Sequence, residues 1–393
     1  MRRYENYLCF PIFPEGRNKK EIMKKIILLT VMLLQASTAM LLAQTKEEVM
    51  EKTLLANDYF MAKWSDPSWP TTAKKLRPSN LWTRGVYFEG LMALNEIEPR
   101  QSYMDYVDKW GTFHKWDVYS HNPQTMDADH QCCAQTYIMR YRMVGGEEKL
   151  GNIRRCFDNQ VASGNNGKWT WIDAIQMAMP AYAMLSSTTG DRKYLDYAMR
   201  SYRWTRDTCG GRLFNVEEGL WWRDANFVAP YKESDGKNCY WSRGNGWVFA
   251  ALCRTMNELS PKDAYYKQLK ADYLIMAKAL LKIQREDGFW NASLVSQDYA
   301  GPELSGTALF LYGLAWGVNH KMLKAKDVKP AMDKAWTAMA SCVHKDGFLG
   351  YVQGSGDRPA SSQPVDYNRE PDFDDYGLGC FLLGATEYVK TIK

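Results

Sequence analysis

Two aspartates, Asp173 and Asp129, stand at the heads of apolar helical runs. Asp173 closes Trp169-Thr170-Trp171-Ile172-Asp173, ahead of an apolar stretch over 174–185, and Asp129, in Asp127-Ala128-Asp129, holds the matching position one repeat earlier. An Asp in such a place can cap its helix. It can also project into a cleft, where an apolar wall such as Trp171 disfavours the charged form, raises the carboxyl pKa and suits it to giving up a proton. Two carboxyls at one mouth are the minimum equipment for breaking a glycosidic bond. Asp374-Asp375 is another pair at a helix start, but no Trp adjoins it and capping is the simpler reading. His130, beside Asp129, borders the same place.

The heptad Trp241-Ser242-Arg243-Gly244-Asn245-Gly246-Trp247 gathers groups that suit a sugar bearing a carboxylate. Indole faces stack on rings, Arg and Asn donate directed hydrogen bonds, and glycines let the backbone approach a ligand. The alternative is a Trp-rich loop that caps a helix. Arg84, Arg223 and Arg243 are candidates for a bidentate clamp on the carboxylate, or else for ordinary ion pairs. The binding set is then Trp171, Arg223, Trp241, Arg243, Asn245, Trp247, His130 and Arg84, around the catalytic candidates Asp173 and Asp129. No phosphate loop, serine elbow or heme signature is present.

These groups need helices to hold them. Apolar positions recur with period 3.6 from Lys46 onward, and alternating strands are scarce. One kind of helix is amphipathic, as at 194–204 and 265–281. The other is small and apolar throughout, so it should be buried on all sides. Six such helices start, at Thr83-Arg84-Gly85, Asp127-Ala128-Asp129, Trp171-Ile172-Asp173, Arg243-Gly244-Asn245, Glu303-Leu304-Ser305 and Asp374-Asp375-Tyr376. Two turns also rhyme, Glu286-Asp287-Gly288-Phe289-Trp290 and Lys345-Asp346-Gly347-Phe348-Leu349. A helical hairpin repeated six times predicts an all-α (α/α)6 barrel over 44–393, one domain with the inner-helix starts at one mouth; an open solenoid is the alternative.

Residues 1–43 read as an upstream extension plus signal peptide: Lys24-Lys25, a short apolar run over 26–34, then small residues near Ala39 and Ala43. Export across the inner membrane to the periplasm follows, with no stable membrane anchor. That segment carries seven Lys/Arg and three Asp/Glu, so it supplies four of the five net positive charges. A near-neutral remainder argues against nucleic acid as a partner. Of the nine cysteines, the eight beyond residue 43 fit no zinc spacing and read as buried thiols, and five histidines leave little for metal or proton-relay chemistry. All 15 Trp lie beyond position 60, a supply that fits both a core and a carbohydrate cleft.

Together Trp171-Ile172-Asp173, the heptad 241–247 and Glu303-Leu304-Ser305-Gly306-Thr307 resemble glycoside hydrolase family 105, the unsaturated rhamnogalacturonyl hydrolases, and the related family 88 glucuronyl hydrolases. The likeness spans roughly residues 46–390. It implies a six-hairpin barrel, no cofactor and an acidic oligosaccharide as substrate, most simply of rhamnogalacturonan type. It also implies an unusual reaction, in which C4 of a 4,5-unsaturated uronic acid is protonated, water adds at C5, and the hemiketal collapses to release the next sugar. Asp173 matches the family's acid/base position and Asp129 its second carboxylate, while Arg243, Asn245 and Trp247 fall on the motif bordering the sugar. Arg223 departs from the family, which often has a His after Gly-Leu-Trp; this bears on which sugar is bound. Two other functions remain open on the residues alone: a glycosidase using paired Asp residues on saturated sugars, and a sugar-binding protein without catalysis. An epimerase is disfavoured by the few histidines.

Overall fold

Helices of two kinds alternate along the chain. The outer ones are α1 (Lys46–Lys63), α3 (Gln101–Phe113), α6 (Glu148–Ser163), α8 (Lys193–Asp207), α10 (Ala264–Ile283) and α12 (Ala325–Ser341). The inner ones are α2 (Trp82–Ile97), the broken pair α4 (Ala128–Gln131) and α5 (Ala134–Val144), α7 (Asp173–Thr189), α9 (Ser242–Met256), α11 (Leu304–Asn319) and α13 (Asp375–Val389). The computed structural model describes residues 24, 44–70, 76–165 and 168–392. Apart from Lys24, the expected extension and signal peptide lie outside the described residues. Thr45–Lys393 form one compact unit. No helix among the described residues is long and apolar enough to cross a membrane.

Burial follows the two sequence patterns. α1 buries Val49, Thr53, Ala56, Asn57 and Phe60, one stripe at helical spacing. Its start is fixed by a capping box, with Thr45 N donating to Glu48 Oε2 (2.9 Å) and Glu48 N to Thr45 Oγ1 (3.2 Å). α9 and α13 bury every residue. Each inner helix packs on the next, and α13 packs on α2. The ring is therefore closed, an (α/α)6 toroid, and not an open solenoid. At the closure the two backbones touch: a Cβ on Gly379 would lie 2.3 Å from the Val86 carbonyl oxygen, and one on Gly90 would lie 2.7 Å from that of Gly379. Only glycine fits there.

The two rhyming turns share a task. Gly288 and Gly347 have φ of 90° and 97°, and the aspartate before each accepts from the second residue on, Phe289 N (3.2 Å) and Phe348 N (3.1 Å). Each glycine abuts the next outer helix, Gly288 at the Lys334 carbonyl of α12 and Gly347 at the Leu55 carbonyl of α1. The second turn thus closes the outer ring.

Inside the ring a polar knot joins four inner helices. Gln176 Nε2 of α7 donates to Glu89 Oε2 of α2 (2.7 Å). Arg254 Nη2 of α9 donates to Gln135 Oε1 of α5 (2.8 Å) and lies 3.5 Å from Glu89 Oε2. Burial pushes the Glu89 carboxyl upward, with Arg254 opposing. Since α2 and α9 stand opposite each other around the ring, this knot crosses its axis. The eight described cysteines are free and buried. Strand structure near the site is limited to one antiparallel hairpin, β1 (Phe214–Asn215) and β2 (Leu220–Trp221), pairing Phe214 with Trp221 and Asn215 with Leu220.

Candidate active site

A cleft of about 500 Å³ opens where α2, α4 and α7 begin. Its floor holds Asp129, Asp173 and Arg223, with Trp82, Trp171 and His130 on the walls. Asp173 is the first residue of α7 and spends no hydrogen bond on capping it. Its Oδ2 instead accepts from Arg223 Nε at 3.1 Å. Asp173's charged neighbour is therefore a guanidinium, where the sequence suggested an apolar indole wall. That guanidinium lies 6.0 Å over the Trp171 ring and also donates through Nη1 to Asp224 Oδ2 (2.8 Å).

Asp129 is free of capping because Asp127 does it, accepting from Asp129 N at 3.0 Å. The Asp129 carboxyl accepts no hydrogen bond from a described residue. Burial first, then the charges of Asp127 and Asp173, push its pKa up to about 8 against the pull of Arg223 and Arg77. These surroundings favour the protonated carboxyl near neutral pH. His130 shares a hydrogen bond with Thr125 (Nδ1 to Oγ1, 2.8 Å) and meets the Tyr119 ring edge-on. Burial lowers its pKa, with Asp127 opposing.

The hairpin sets Arg223 in place. Ile172 N donates to the Arg223 carbonyl (2.9 Å), and Trp171 pairs with Asp224. The stretch after β2 is thereby stitched to the start of α7, and the Arg223 side chain lands beside Asp173.

The heptad is one layer lower, and its placement corrects the sequence expectation. Trp241, Arg243, Asn245 and Trp247 are fully buried and do not line the cleft. Asn245 Nδ2 donates to the carbonyls of Trp221 and Trp241 (both 3.0 Å), and its Oδ1 accepts from Trp221 N (2.8 Å). Trp241 Nε1 donates to Gln353 Oε1 (2.8 Å), and Arg243 Nη2 donates to the Gly354 carbonyl (3.1 Å). The rest of the Arg243 guanidinium lies over the rings of Trp241 (4.3 Å) and Tyr376 (5.0 Å). Trp247 meets Trp82 edge-on at 6.4 Å. The motif thus braces both walls from beneath: the Arg223 strand through Asn245, and the loop reaching Ser355 and Gly356 through Trp241 and Arg243.

Arg84 is also corrected. It is fully buried, with Nε 3.4 Å from Asp375 Oδ2, and it locks α2 to α13. Burial raises the Asp375 carboxyl to about 6 against the pull of Arg84. Asp374 accepts from Lys63 Nζ (2.7 Å) and Trp64 Nε1 (3.1 Å), so it ties α1 to α13 without capping. At the α2 start the cleft-facing residue is Trp82, two positions before Arg84. Its signal was the register of Trp171, which likewise precedes Asp173 by two. Arg77, Tyr119 and Asp357 also line the cleft, and neither period nor motif marked them. Among the described residues no group of three or more His, Cys, Asp or Glu is placed to hold a metal ion.

A toroid of paired helices whose mouth carries two carboxyls, a guanidinium and indoles has the equipment of a glycoside hydrolase. The family model described as Glycosyl Hydrolase Family 88 matches residues 54–392. The unsaturated 3S-rhamnoglycuronyl hydrolase of Formosa agariphila is 31% identical over 338 residues, covering 79% of this chain and 84% of its own. A protein of the same name from an Alteromonas species is also 31% identical, covering 80% of this chain and 78% of its own. A solved glycosyl hydrolase family 88 structure from Bacteroides vulgatus has a TM-score of 0.79 at 29% identity, covering 88% of this chain and 99% of that one. The chain belongs to glycosyl hydrolase family 88, one of the two related families to which its motifs pointed.

Proposed function

We propose that this chain removes a terminal 4,5-unsaturated uronic acid from oligosaccharides left by polysaccharide lyases, with rhamnose as the sugar released. Rhamnose is common to the rhamnogalacturonan fragment expected from sequence and to the names of the two relatives. The observation that carries the reading is a pair of carboxyls lining one cleft: Asp129, whose pKa is raised, and Asp173, held by Arg223.

The chemistry needs one acid that gives a proton to C4 and then, as a base, takes one from the water that adds at C5. Asp173 is that group. Before the sugar binds, Asp129 stores the proton, and Arg223 pairs with Asp173. The uronate carboxylate, at the carbon next to C4, draws on the same guanidinium. Asp173 then loses part of its counter-charge and takes up the proton that Asp129 stored. Trp171 and Trp82 supply aromatic faces for the flattened ring. A leader over residues 1–43 and a periplasmic location, both read from sequence, complete this picture.

The test follows the enol-ether absorbance while the protein meets lyase-generated disaccharides. The expected result is loss of that band, and Asp173→Asn is expected to lower kcat by about 10²–10⁴-fold while leaving binding in place. Normal turnover by Asp173→Asn would overturn the acid/base assignment. Sugar release only from saturated oligosaccharides would favour a conventional paired-carboxylate glycosidase.

A further inference from the structure

At the start of α4 the cleft wall holds a donor and an acceptor that do not meet. Asp127 and His130 both line the cleft. His130 Nε2 lies 3.8 Å from Asp127 Oδ2, and the two side chains are 25% and 44% exposed, so both reach solvent. That separation is too long for a direct hydrogen bond. The other polar atom of each group is already committed. Asp127 Oδ1 accepts from Asp129 N (3.0 Å), and His130 Nδ1 meets Thr125 Oγ1 (2.8 Å). Thr125 Oγ1 also accepts from Asp127 N (3.3 Å), and among the described residues its own proton has one acceptor, His130 Nδ1. The Thr125 hydroxyl therefore donates to Nδ1, and this network assigns the imidazole N–H to Nε2. Thr125 is itself fixed, because its carbonyl accepts from Gln131 Nε2 (3.0 Å) and from Gln160 Nε2 of α6 (2.8 Å). The Tyr119 ring, edge-on at 4.6 Å, packs against the imidazole.

The gap thus has an N–H on one side and a carboxyl oxygen on the other. An oxygen about 2.8 Å from both would close it. That one atom must accept from the imidazole and donate to Asp127 at the same time. A sulfate or a carboxylate has no proton to give, and an ammonium has no lone pair for the N–H. A neutral hydroxyl does both. We infer that His130 and Asp127 clamp one hydroxyl of the bound sugar between them. Asp127 then serves two roles, as the cap of α4 and as a ligand, and Thr125 is a positioning residue that sets the imidazole tautomer. The inference rests on the reading of this cleft as a sugar site and adds a selection rule to it: the hydroxyl that faces α4 must be free of any substituent.

The experiment measures Kd by calorimetry for a lyase-generated unsaturated disaccharide and for its monodeoxy forms, each lacking one hydroxyl. It is run in the Asp173→Asn background, so that binding is read apart from turnover. Asp127→Asn keeps the cap, since Asn serves that position as well as Asp does, but it turns an N–H toward His130. His130→Ala removes the donor. Each is expected to weaken binding of the parent disaccharide by roughly 10-fold, and the double variant by little more, because one hydroxyl bridges both groups. One monodeoxy sugar should bind all these forms alike, and it identifies the hydroxyl. Thr125→Val should also weaken binding, and the imidazole nitrogen NMR signals should then show the proton shared between Nδ1 and Nε2. Losses that multiply in the double variant, or that persist with every monodeoxy sugar, overturn the clamp. So does an unchanged Kd in both single variants, or an imidazole proton resting on Nδ1 in the wild type. The proposed reaction is judged separately, by the enol-ether absorbance with wild-type protein. If that band persists while the Kd pattern holds, the reaction fails and the clamp stands; a parent disaccharide that does not bind overturns both.

Discussion

Asp129 and Asp173 differ in their neighbours more than in their position. Each begins an inner helix, but Asp127 relieves the first of capping and Arg223 pairs with the second. The pKa of Asp129, raised to about 8 in the folded chain from an ordinary value of 3.8, has two consequences. Above about pH 8 the stored proton is lost, so kcat/KM should fall through that region, and a pH–rate profile checks this. The folded chain also holds a proton that the unfolded chain releases between about pH 4 and pH 8, so stability should fall as pH rises through that window and level off above it. Asp129→Asn removes this loss. Its melting temperature should exceed that of the wild type by roughly 5–8 °C near pH 9 and by much less near pH 5. An equal gain at both values would show that the Asp129 carboxyl does not hold a proton in the folded state. Legibility differed at this scale. The two aspartates could be read because helix starts recur in the sequence. Arg77 could not, because it lies between elements and rests over the ring of Phe373, almost 300 positions away in the chain.

At the scale of the element, the heptad shows what a motif does and does not reveal. Its residue types announced a site, and it does serve one, but from one layer down. Sequence gives the start of α9 but not the side toward which its first turn faces, and a helix buried all round offers no polar face to settle it. Asn245 shows the consequence. Its amide satisfies both backbone groups of Trp221, at 2.8 and 3.0 Å, so it fixes the strand that delivers Arg223. Asn245→Ala would leave those groups unpaired in a dry interior, at a cost of about 2–3 kcal/mol. Denaturant midpoints should show that loss. Activity assayed well below the melting temperature should fall further than the unfolded fraction explains, because Arg223 is no longer held beside Asp173.

For the whole molecule, the closed ring was legible because helices such as α9 and α13, buried on every side, leave an unusual signature that recurs along the chain. Closure itself depends on atoms rather than pattern. Gly379→Ala would drive a methyl against the Val86 carbonyl, 2.3 Å away, and should cost about 2–4 kcal/mol. Gly151, inside the outer helix α6, has nothing within 4 Å of the same added atom. Gly151→Ala should stabilise by up to about 1 kcal/mol. Opposite signs from one chemical change would separate seam from surface, and thermal or chemical denaturation of both variants reads it directly. The polar knot of Glu89, Gln135, Gln176 and Arg254 has a consequence of another kind. Because it stoppers the bore of the ring, the cleft has a floor and no back door. A polymer could not thread past it along the axis. For the proposed reaction this calls for a substrate that enters end first and for products that leave by the same mouth.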